Sequence, residues 1–446
     1  MFAILLVLAV SVYVASWRRS KPKRDVGLRR SRDPHGVIFG RDGQKKTVYS
    51  PTAEEGSCLV LGGSGSGKTS AIIIPTLRSV VADGSGTAFA IDISGDIEPT
   101  INCANKIVYA PYTSGGAPYN IFAPIDALSD PDEQDEALAQ LALSLAPKLK
   151  NSSANADFFQ DNGRKILEAS LIAFYHAGRD FCEICDLILS SSYKALFSQI
   201  DASQNPRAIK LINGFAGSSE QNTSGCKGNA DDAVKLFATN AKVRSSLRRP
   251  KKGETAITPA ELETSNIFVC IPDDKLELLS PLVSLIVAQF LSYFSARPKD
   301  RISTILFVLD EAASFPQDLT PALRKLRKKH CRIITVYQSL ADVIKSFGRD
   351  TATAMLNNYP YKLILEAVDP ETQKYFADLI GKNEQQRSSS TYTGGLLKLA
   401  PSSTTESKQR DYKVMPEELG VLGDELILIY RGGHKRLKKA YYFRRK

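Results

Sequence analysis

Short apolar runs recur along the chain, and each has the length and composition of a buried β-strand. The runs cover residues 58–61, 87–92, 106–109, 266–271, 302–309, 332–337, 361–367 and 426–430. Helical periodicity lies between several of them, most clearly in the long apolar stretch 278–294. Strands that alternate with helices predict an α/β fold with a largely parallel sheet that is covered on both faces.

The hydrophobic pattern changes between residues 126 and 242, where β-branched runs disappear. Segments 133–149 and 158–175 place their apolar residues at the spacing of one helix face. We therefore predict an all-helical domain over 126–260. It would be inserted into an α/β nucleotide-binding domain whose two parts are 46–125 and 261–446. The polar stretch 383–410 has no periodicity and predicts a mobile loop.

The N-terminus has the pattern of a membrane anchor. Residues 2–16 carry no charged side chain, Trp17 follows, and eight arginines and lysines come between 18 and 32. Fifteen helical residues span about 22 Å, short of the ~30 Å hydrocarbon core. Because the charges follow the apolar run, we favour a single-pass anchor over 1–17 and a basic juxtamembrane linker over 18–45, with the rest in the cytoplasm. A cleaved signal peptide is the alternative, but it would need positive charge before the run.

Composition is that of a globular protein large enough for two or three domains. The chain has 446 residues, of which 43% are hydrophobic and 24% charged, with a net charge of +10. Basic clusters lie at 244–252 and 434–446. On charge alone, a nucleic-acid footprint and a solvated or headgroup-facing surface are equally consistent with them.

Cysteine usage favours a reducing compartment. The seven cysteines are an odd number, and Cys182 and Cys185 form a CxxC pair without a second pair or a local histidine. We expect these two at buried helix positions rather than in a zinc or redox site. The pattern predicts no metal site beyond Mg²⁺ bound with nucleotide.

One loop carries the strongest chemistry in the chain. The sequence GGSGSGKTS fits GxxxxGK[ST], follows an apolar strand and precedes a helix. Its backbone N–H groups would cradle the phosphates of a nucleoside triphosphate, Lys68 would pair with the β- and γ-phosphates, and the Thr69 hydroxyl would hold Mg²⁺. Pro75 should kink the following helix or end it early. The predicted nucleotide-binding residues are Gly62, Gly63, Ser64, Gly65, Ser66, Gly67, Lys68, Thr69 and Ser70.

A second acidic site follows the apolar run that ends at Leu309. Asp310 would hold Mg²⁺ through a bound water, and Glu311 would polarise the attacking water. An NKxD motif that reads guanine is absent from the sequence, since Asn105-Lys106 continues with Ile107-Val108. We therefore expect ATP rather than GTP.

Another strand, which ends in Gln338-Ser339, completes a recognisable order of motifs. A glutamine there resembles the residue that senses the γ-phosphate in RecA-like hexameric motors. Together with GGSGSGKTSAIIIPTL, FAIDISGDI, APYNIFAPID, VLDEAASF, VYQSL and MPEEL, it makes the chain resemble the TraG/TraD-type coupling proteins of conjugation and type IV secretion. The likeness covers nearly the whole chain.

The resemblance implies a RecA-like, DNA-dependent ATPase that is anchored in the bacterial inner membrane and assembles as a ring. A homo-hexamer is the ring that it favours. It implies DNA, a relaxase or relaxosome, secreted proteins and type IV secretion channel components as partners. Arg327 would be an arginine finger that acts across a subunit interface. Arg324 is the alternative finger, and an ordinary basic helix face is the alternative to both.

Two departures from the family and two alternative functions stay open. Family members commonly have two membrane helices, whereas this chain has one short apolar run; Ser94 and Asp96 stand where Lys and Glu are frequent. One alternative is a cytoplasmic DNA translocase similar to FtsK or HerA, which would need no apolar N-terminus. The other is a membrane-docked receptor for protein effectors in which ATP gates assembly.

Overall fold

The computed structural model describes residues 27–51, 56–82, 84, 86–113, 115–148, 153–315, 317–391 and 403–443. The predicted anchor over 1–17 and the first part of the predicted linker lie outside these ranges, as do residues 444–446.

Strands dominate the part of the chain around the phosphate loop. Within the described residues, β1 to β14 span Arg29–Ser31, Val37–Arg41, Thr47–Ser50, Cys58–Leu61, Gly86–Asp92, Lys106–Tyr109, Asn266–Cys270, Thr304–Leu309, Cys331–Tyr337, Tyr361–Ile364, Lys382–Thr391, Ser403–Tyr412, Glu425–Tyr430 and Gly433–Lys438. Twelve of them form one sheet in the order β1-β3-β2-β14-β13-β10-β4-β9-β8-β5-β7-β6. All neighbours from β10 to β6 are parallel, which confirms the predicted α/β class.

Helices cover both faces of this sheet. In the described ranges, α1 to α15 span Ile74–Val81, Ile97–Thr100, Ala123–Asp126, Pro131–Leu145, Ala154–His176, Phe181–Ser190, Tyr193–Ala202, Pro206–Asn213, Glu220–Thr239, Ala241–Ser246, Leu276–Ser295, Thr320–Lys325, Leu340–Phe347, Arg349–Asn357 and Pro370–Ile380. A π-helical turn, Lys68–Ile73, precedes α1. Short 3₁₀ helices span Pro259–Glu263, Asp273–Lys275, Leu326–Lys329 and Pro416–Gly420.

The side chains of β4 show how the sheet separates two apolar cores. Leu59 and Leu61 belong to the core on the face that α11 covers, whereas Cys58 and Val60 belong to the core on the face that α1 covers. Successive strand residues point to opposite faces, so a strand buried on both sides is apolar throughout. This explains why β4 has no alternating pattern in the sequence.

The segment between β6 and β7 is helical in the structure, with α4 to α10 spanning residues 131–246. Local capping starts these helices: the Ser153 side chain accepts a hydrogen bond from Ala156 N–H at the start of α5, and Asp180 and Glu183 form a capping box on α6. Cys182 and Cys185 are buried on α6, and burial raises the pKa of Cys182 to about 12. The domain boundaries at 126 and 260 stay a prediction.

One helix among the described residues, Asp273–Ser295, is long and apolar enough to cross a membrane by length and composition. Leu279, Leu282 and Phe290 of this helix are fully buried in the core. That burial is typical of a core helix of a folded domain.

The mobile loop predicted over 383–410 is wrong for most of that range. β11 and β12 pair antiparallel from Lys382 opposite Tyr412 to Thr391 opposite Ser403 and form a separate two-stranded sheet. Backbone groups make these pairs, so a polar ribbon needs no apolar periodicity to form. The sequence pattern therefore gave no strand signal.

A buried arginine connects the residues that precede two central strands, β8 and β9. Arg297, at the end of α11, is 2% exposed, and its guanidinium donates to Glu263 at 2.8 and 2.6 Å. It also donates to the carbonyls of Ser303 and Lys329 at 2.9 and 2.6 Å. These contacts fix the residues before β8 and β9, and therefore the strands that lead to Asp310 and Gln338.

Replacing this arginine should destabilise the fold strongly. We expect Arg297→Met to lower the free energy of unfolding by about 3–5 kcal/mol, because it leaves the Glu263 carboxylate and two carbonyls without their partner. Arg349→Met is the matched control. It removes an exposed ion pair with Glu371 and should change stability by less than about 1 kcal/mol. Denaturant titration measures both variants, and equal losses would contradict a structural role for Arg297.

Candidate nucleotide-binding site

The loop between β4 and the π-helical turn needs glycine for steric reasons. A Cβ on Gly62 would lie 2.4 Å from Ser66 Oγ. Gly65 and Gly67 have φ angles of 75° and 93°, which side-chain-bearing residues rarely adopt. The backbone can therefore curl tightly before Lys68, which directs N–H groups at the helix start toward an anion.

The helix after the loop begins with an unusual turn. Ile74 N–H bonds to the Thr69 carbonyl, five residues earlier, and an α-helix then continues to Val81. Pro75 occupies the first turn of that α-helix, where a missing N–H is tolerated. The expectation that Pro75 ends the helix early is therefore wrong, because the helix continues to Val81, whereas the expected kink stays a prediction.

Lys68 is held over the mouth of the loop. The residue is 9% exposed, and its ammonium donates to the carbonyls of Gly62 and Gly63 at 2.8 and 2.9 Å. The neighbouring Thr69 side chain is half-buried. Ser66 Oγ is buried and has no hydrogen-bond partner among the described residues. A positive charge, a hydroxyl and an unsatisfied polar atom thus line one concave loop, and this arrangement fits a magnesium-bound polyphosphate.

Asp310 follows β8 at the same edge of the sheet and is 6% exposed. Burial, and then the charge of Glu311, raise the pKa of the Asp310 carboxyl to about 7, against the lowering effect of the Lys68 ammonium. Asp92, at the end of β5, adds a smaller raising effect. Lys68 follows the loop after β4 and Asp310 follows β8, and both strands run parallel to β9 between them, so the two residues lie at the same edge of the sheet. A carboxylate in this position fits a hard divalent cation.

Glu311 and Gln338 contact each other beside Asp310. Glu311 has a left-handed φ of 53°, and its carboxylate accepts a hydrogen bond from the Gln338 side-chain amide. Gln338 follows β9, which lies between β4 and β8 in the sheet. The structure thus brings Lys68, Asp310, Glu311 and Gln338 to one edge.

Arg327 lies elsewhere. It is exposed on the 3₁₀ helix Leu326–Lys329, directly before β9. A seven-residue strand spans roughly 23 Å, so Arg327 is at the opposite edge of the sheet from Gln338. Arg324 is at this edge too and donates to Asn358 at 3.4 Å. Neither arginine can reach the phosphate loop of its own chain.

Two features near the loop were not assigned from sequence. Asp92 is 1% exposed and accepts from Gly95 N–H and Glu98 N–H at 2.9 and 2.8 Å, which shapes the loop after β5. Its position at the end of an apolar strand was a usable signal. Tyr442 and Phe443 line a cavity of about 350 Å³ with the phosphate loop. No local pattern relates these distant aromatic residues to the loop.

The basic cluster at 244–252 is partly neutralised. Arg248 forms a two-pronged pair with Glu254 at 2.6 Å, Arg249 lies 3.4 Å from Asp126, and Arg244 lies 3.3 Å from Asp186. Side chains engaged in this way present less net positive charge to a phosphate backbone. The structure therefore weakens the case for this cluster as a nucleic-acid footprint.

Comparison with known proteins gives one family and one shared fold. Residues 19–446 match the family described as type IV secretory system conjugative DNA transfer. Protein VirD4 of Rhizobium radiobacter is 23% identical over 419 residues, which cover 89% of this chain and 58% of that protein. The chain thus spans little more than half the length of this relative.

Solved structures of one coupling protein share the fold. The unbound form of the bacterial conjugative coupling protein TrwBdeltaN70 has a TM-score of 0.71 and 17% identity, with 86% of this chain and 84% of that chain covered. The plasmid coupling protein TrwB in complex with the non-hydrolysable ATP analogue ADPNP has a TM-score of 0.69 and 18% identity, with 87% of each chain covered. These likenesses establish the architecture.

The buried Asp310 carboxylate should make the nucleotide-free protein less stable at high pH. A pKa raised in the folded state means that stability is full below the unfolded pKa of about 4 and is lost as pH rises through 7. An amide does not titrate. The advantage of Asp310→Asn over the wild type should therefore grow by about 1–2 kcal/mol between about pH 5.5 and pH 8. Urea titrations at both pH values measure it, with exposed Asp300→Asn as control. If the stability advantage of Asp310→Asn did not change with pH, the raised pKa of Asp310 would be contradicted.

Proposed function

The chain belongs to the family of type IV secretory system conjugative DNA transfer proteins, and from this premise we propose that it is an ATP-driven coupling protein. It would be anchored in the bacterial inner membrane by residues 1–17 and would move DNA with a bound relaxase to a type IV secretion channel. The observation that carries the proposal is the meeting of Lys68, Asp310, Glu311 and Gln338 at one sheet edge.

Binding of the nucleotide is the first role of this edge. The backbone of residues 62–70 would surround the phosphates, and Lys68 would exchange its two loop carbonyls for phosphate oxygens. Thr69 and Asp310 would hold Mg²⁺. The ion would neutralise charge that develops on the phosphates during transfer to water.

Hydrolysis would follow from the pair beside Asp310. The Gln338 amide donates to the Glu311 carboxylate, so a γ-phosphate that attracts this amide would release the carboxylate. Glu311 could then polarise the attacking water. This exchange would make the hydrolytic base available only when a triphosphate is present.

Ring assembly would bring one more positive charge, that of Arg327, to the phosphates. Arg327 is exposed at the edge opposite its own phosphate loop, so it would act on a nucleotide held by a neighbouring subunit of a homo-hexamer. The relaxosome, secreted proteins and channel components would be the further partners. Phosphate-directed DNA binding should depend strongly on salt and weakly on sequence.

ATP hydrolysis that responds to DNA is the direct test of the motor. We expect wild-type protein to hydrolyse ATP faster when DNA is added. We expect Lys68→Ala to lose at least about 99% of the activity, since the cation that pairs with the β- and γ-phosphates is removed. Lys374→Ala, an exposed lysine on α15, is the matched control and should behave as wild type. Hydrolysis that ignores DNA would favour the effector receptor, and hydrolysis that survives in Lys68→Ala would contradict the site.

Mixed rings test the role of Arg327. Arg327→Ala and Lys68→Ala subunits should each be inactive alone, yet about a quarter of the interfaces in an equal mixture would combine an intact Lys68 with an intact Arg327. We therefore expect partial recovery of ATP hydrolysis on mixing. The same experiment with Arg324→Ala distinguishes the two arginines. Mixtures that form rings and stay inactive would rule out Arg327 as the finger.

A further inference from the structure

The end of the described chain packs against the phosphate loop. A Cβ on Gly67 would lie 3.0 Å from the Tyr441 ring, and the Tyr442 N–H donates to the Ser70 carbonyl at 3.0 Å. Phe443 contacts both tyrosine rings, with centroids 5.2 and 5.3 Å away. Three consecutive aromatic residues thus lie beside the residues that begin the helix.

Pro75 makes this docking possible. In the π-helical pattern, Ile74 N–H bonds to Thr69, so the next donor, for the Ser70 carbonyl, would be residue 75. Proline has no N–H, and the carbonyl is left for Tyr442 instead. The start of the helix therefore presents the Ser70 carbonyl as a hydrogen-bond acceptor for the C-terminal segment.

A cation also contacts the face of the Tyr442 ring. The Arg78 guanidinium lies 4.9 Å from its centroid and is itself fixed by hydrogen bonds to the Thr100 carbonyl at 3.2 and 3.0 Å. A cation over an aromatic face is attractive. Backbone and side chain thus give Tyr442 one orientation.

These rings border the same cavity as the phosphate loop. The cavity, of about 350 Å³, is lined by Gly67, Lys68, Thr69, Ser70, Tyr442 and Phe443. Phe443 is 58% exposed, so its ring is available for contact with a ligand. The open aromatic surface is therefore continuous with the phosphate cradle.

The direction of the bound nucleotide follows from the loop. Lys68 and Gln338 mark the end where the γ-phosphate would lie, and the first helical residues after Thr69 mark the end of the α-phosphate. The sugar and base must continue beyond that end. Tyr442 binds Ser70 there, so the aromatic segment lies where the base has to be.

We propose that Tyr442 and Phe443 form a base-binding platform that selects purine nucleotides by stacking. This inference rests on the proposed nucleotide-binding function and adds the recognition of the base to it. Stacking scales with the aromatic area of the base, so purines bind more tightly than pyrimidines, and adenine and guanine are poorly distinguished.

Three ligands separate the base contact from the phosphate contact. The full-length Tyr442→Ala/Phe443→Ala variant is titrated with Mg²⁺ and ATP, CTP or inorganic tripolyphosphate, beside wild type and Phe158→Ala, an exposed aromatic control on α5. The variant should bind ATP about tenfold more weakly and tripolyphosphate within about twofold of wild type, so its preference for ATP over CTP should largely disappear. Tyr442→Phe, which keeps the ring and the N–H, should retain ATP affinity.

The outcomes that overturn the platform are distinct. Unchanged ATP affinity would mean that the two rings do not contact the base. Equal losses for ATP and tripolyphosphate would mean that the segment only shapes the phosphate loop. A wild-type protein that binds neither ATP nor tripolyphosphate would refute the proposed function itself, and the platform with it.

Discussion

The burial of the Asp310 carboxylate is the constraint on which the sheet edge with Lys68, Glu311 and Gln338 depends. It lies close to Glu311 and Asp92, and Lys68 is the cation that opposes them in the determination of its pKa. Three carboxylates near one ammonium leave an excess of negative charge in a poorly solvated place. Under the proposed function, Asp310 and the Thr69 hydroxyl would bind the Mg²⁺ that arrives with the nucleotide, and the charge of the ion would offset this excess. The same feature that reduces stability therefore favours magnesium-bound phosphates.

The parallel sheet explains why residues so distant in sequence meet there. β4, β9, β8 and β5 are consecutive neighbours and run in one direction. Each delivers the residue that follows it to the same edge. The helical segment 131–246 enters and leaves between β6 and β7 at the outer side of the sheet, so it adds to the chain without separating β4 from β8. Arg297 secures the other end of these strands.

Sequence predicted the parts of this arrangement that are local. The glycine loop, the apolar strands and the carboxylates after them are contiguous patterns, and parallel strands put their ends together. The hydrogen bond from Gln338 to Glu311 joins two separate strand ends through a left-handed Glu311 backbone, and no pattern encodes it. Tyr442 docks on a carbonyl that Pro75 leaves available, which needs the π-helical turn to be known. The β11–β12 ribbon was missed because backbone pairing alone leaves no mark in polarity.

Arg327 shows why the single chain is an incomplete site under the proposed function. Within one subunit the phosphates would be approached by Lys68 from the loop and by Gln338 from β9, while Arg327 lies a strand length away. An arginine so placed is useful only if a neighbour presents its phosphate edge to this one's opposite edge. That geometry is heterologous, and a heterologous contact closes into a ring when its rotation allows. The proposed base platform and γ-phosphate sensor then lie at the two ends of one nucleotide, and the neighbour's arginine acts at the sensor end, where the triphosphate and diphosphate states differ.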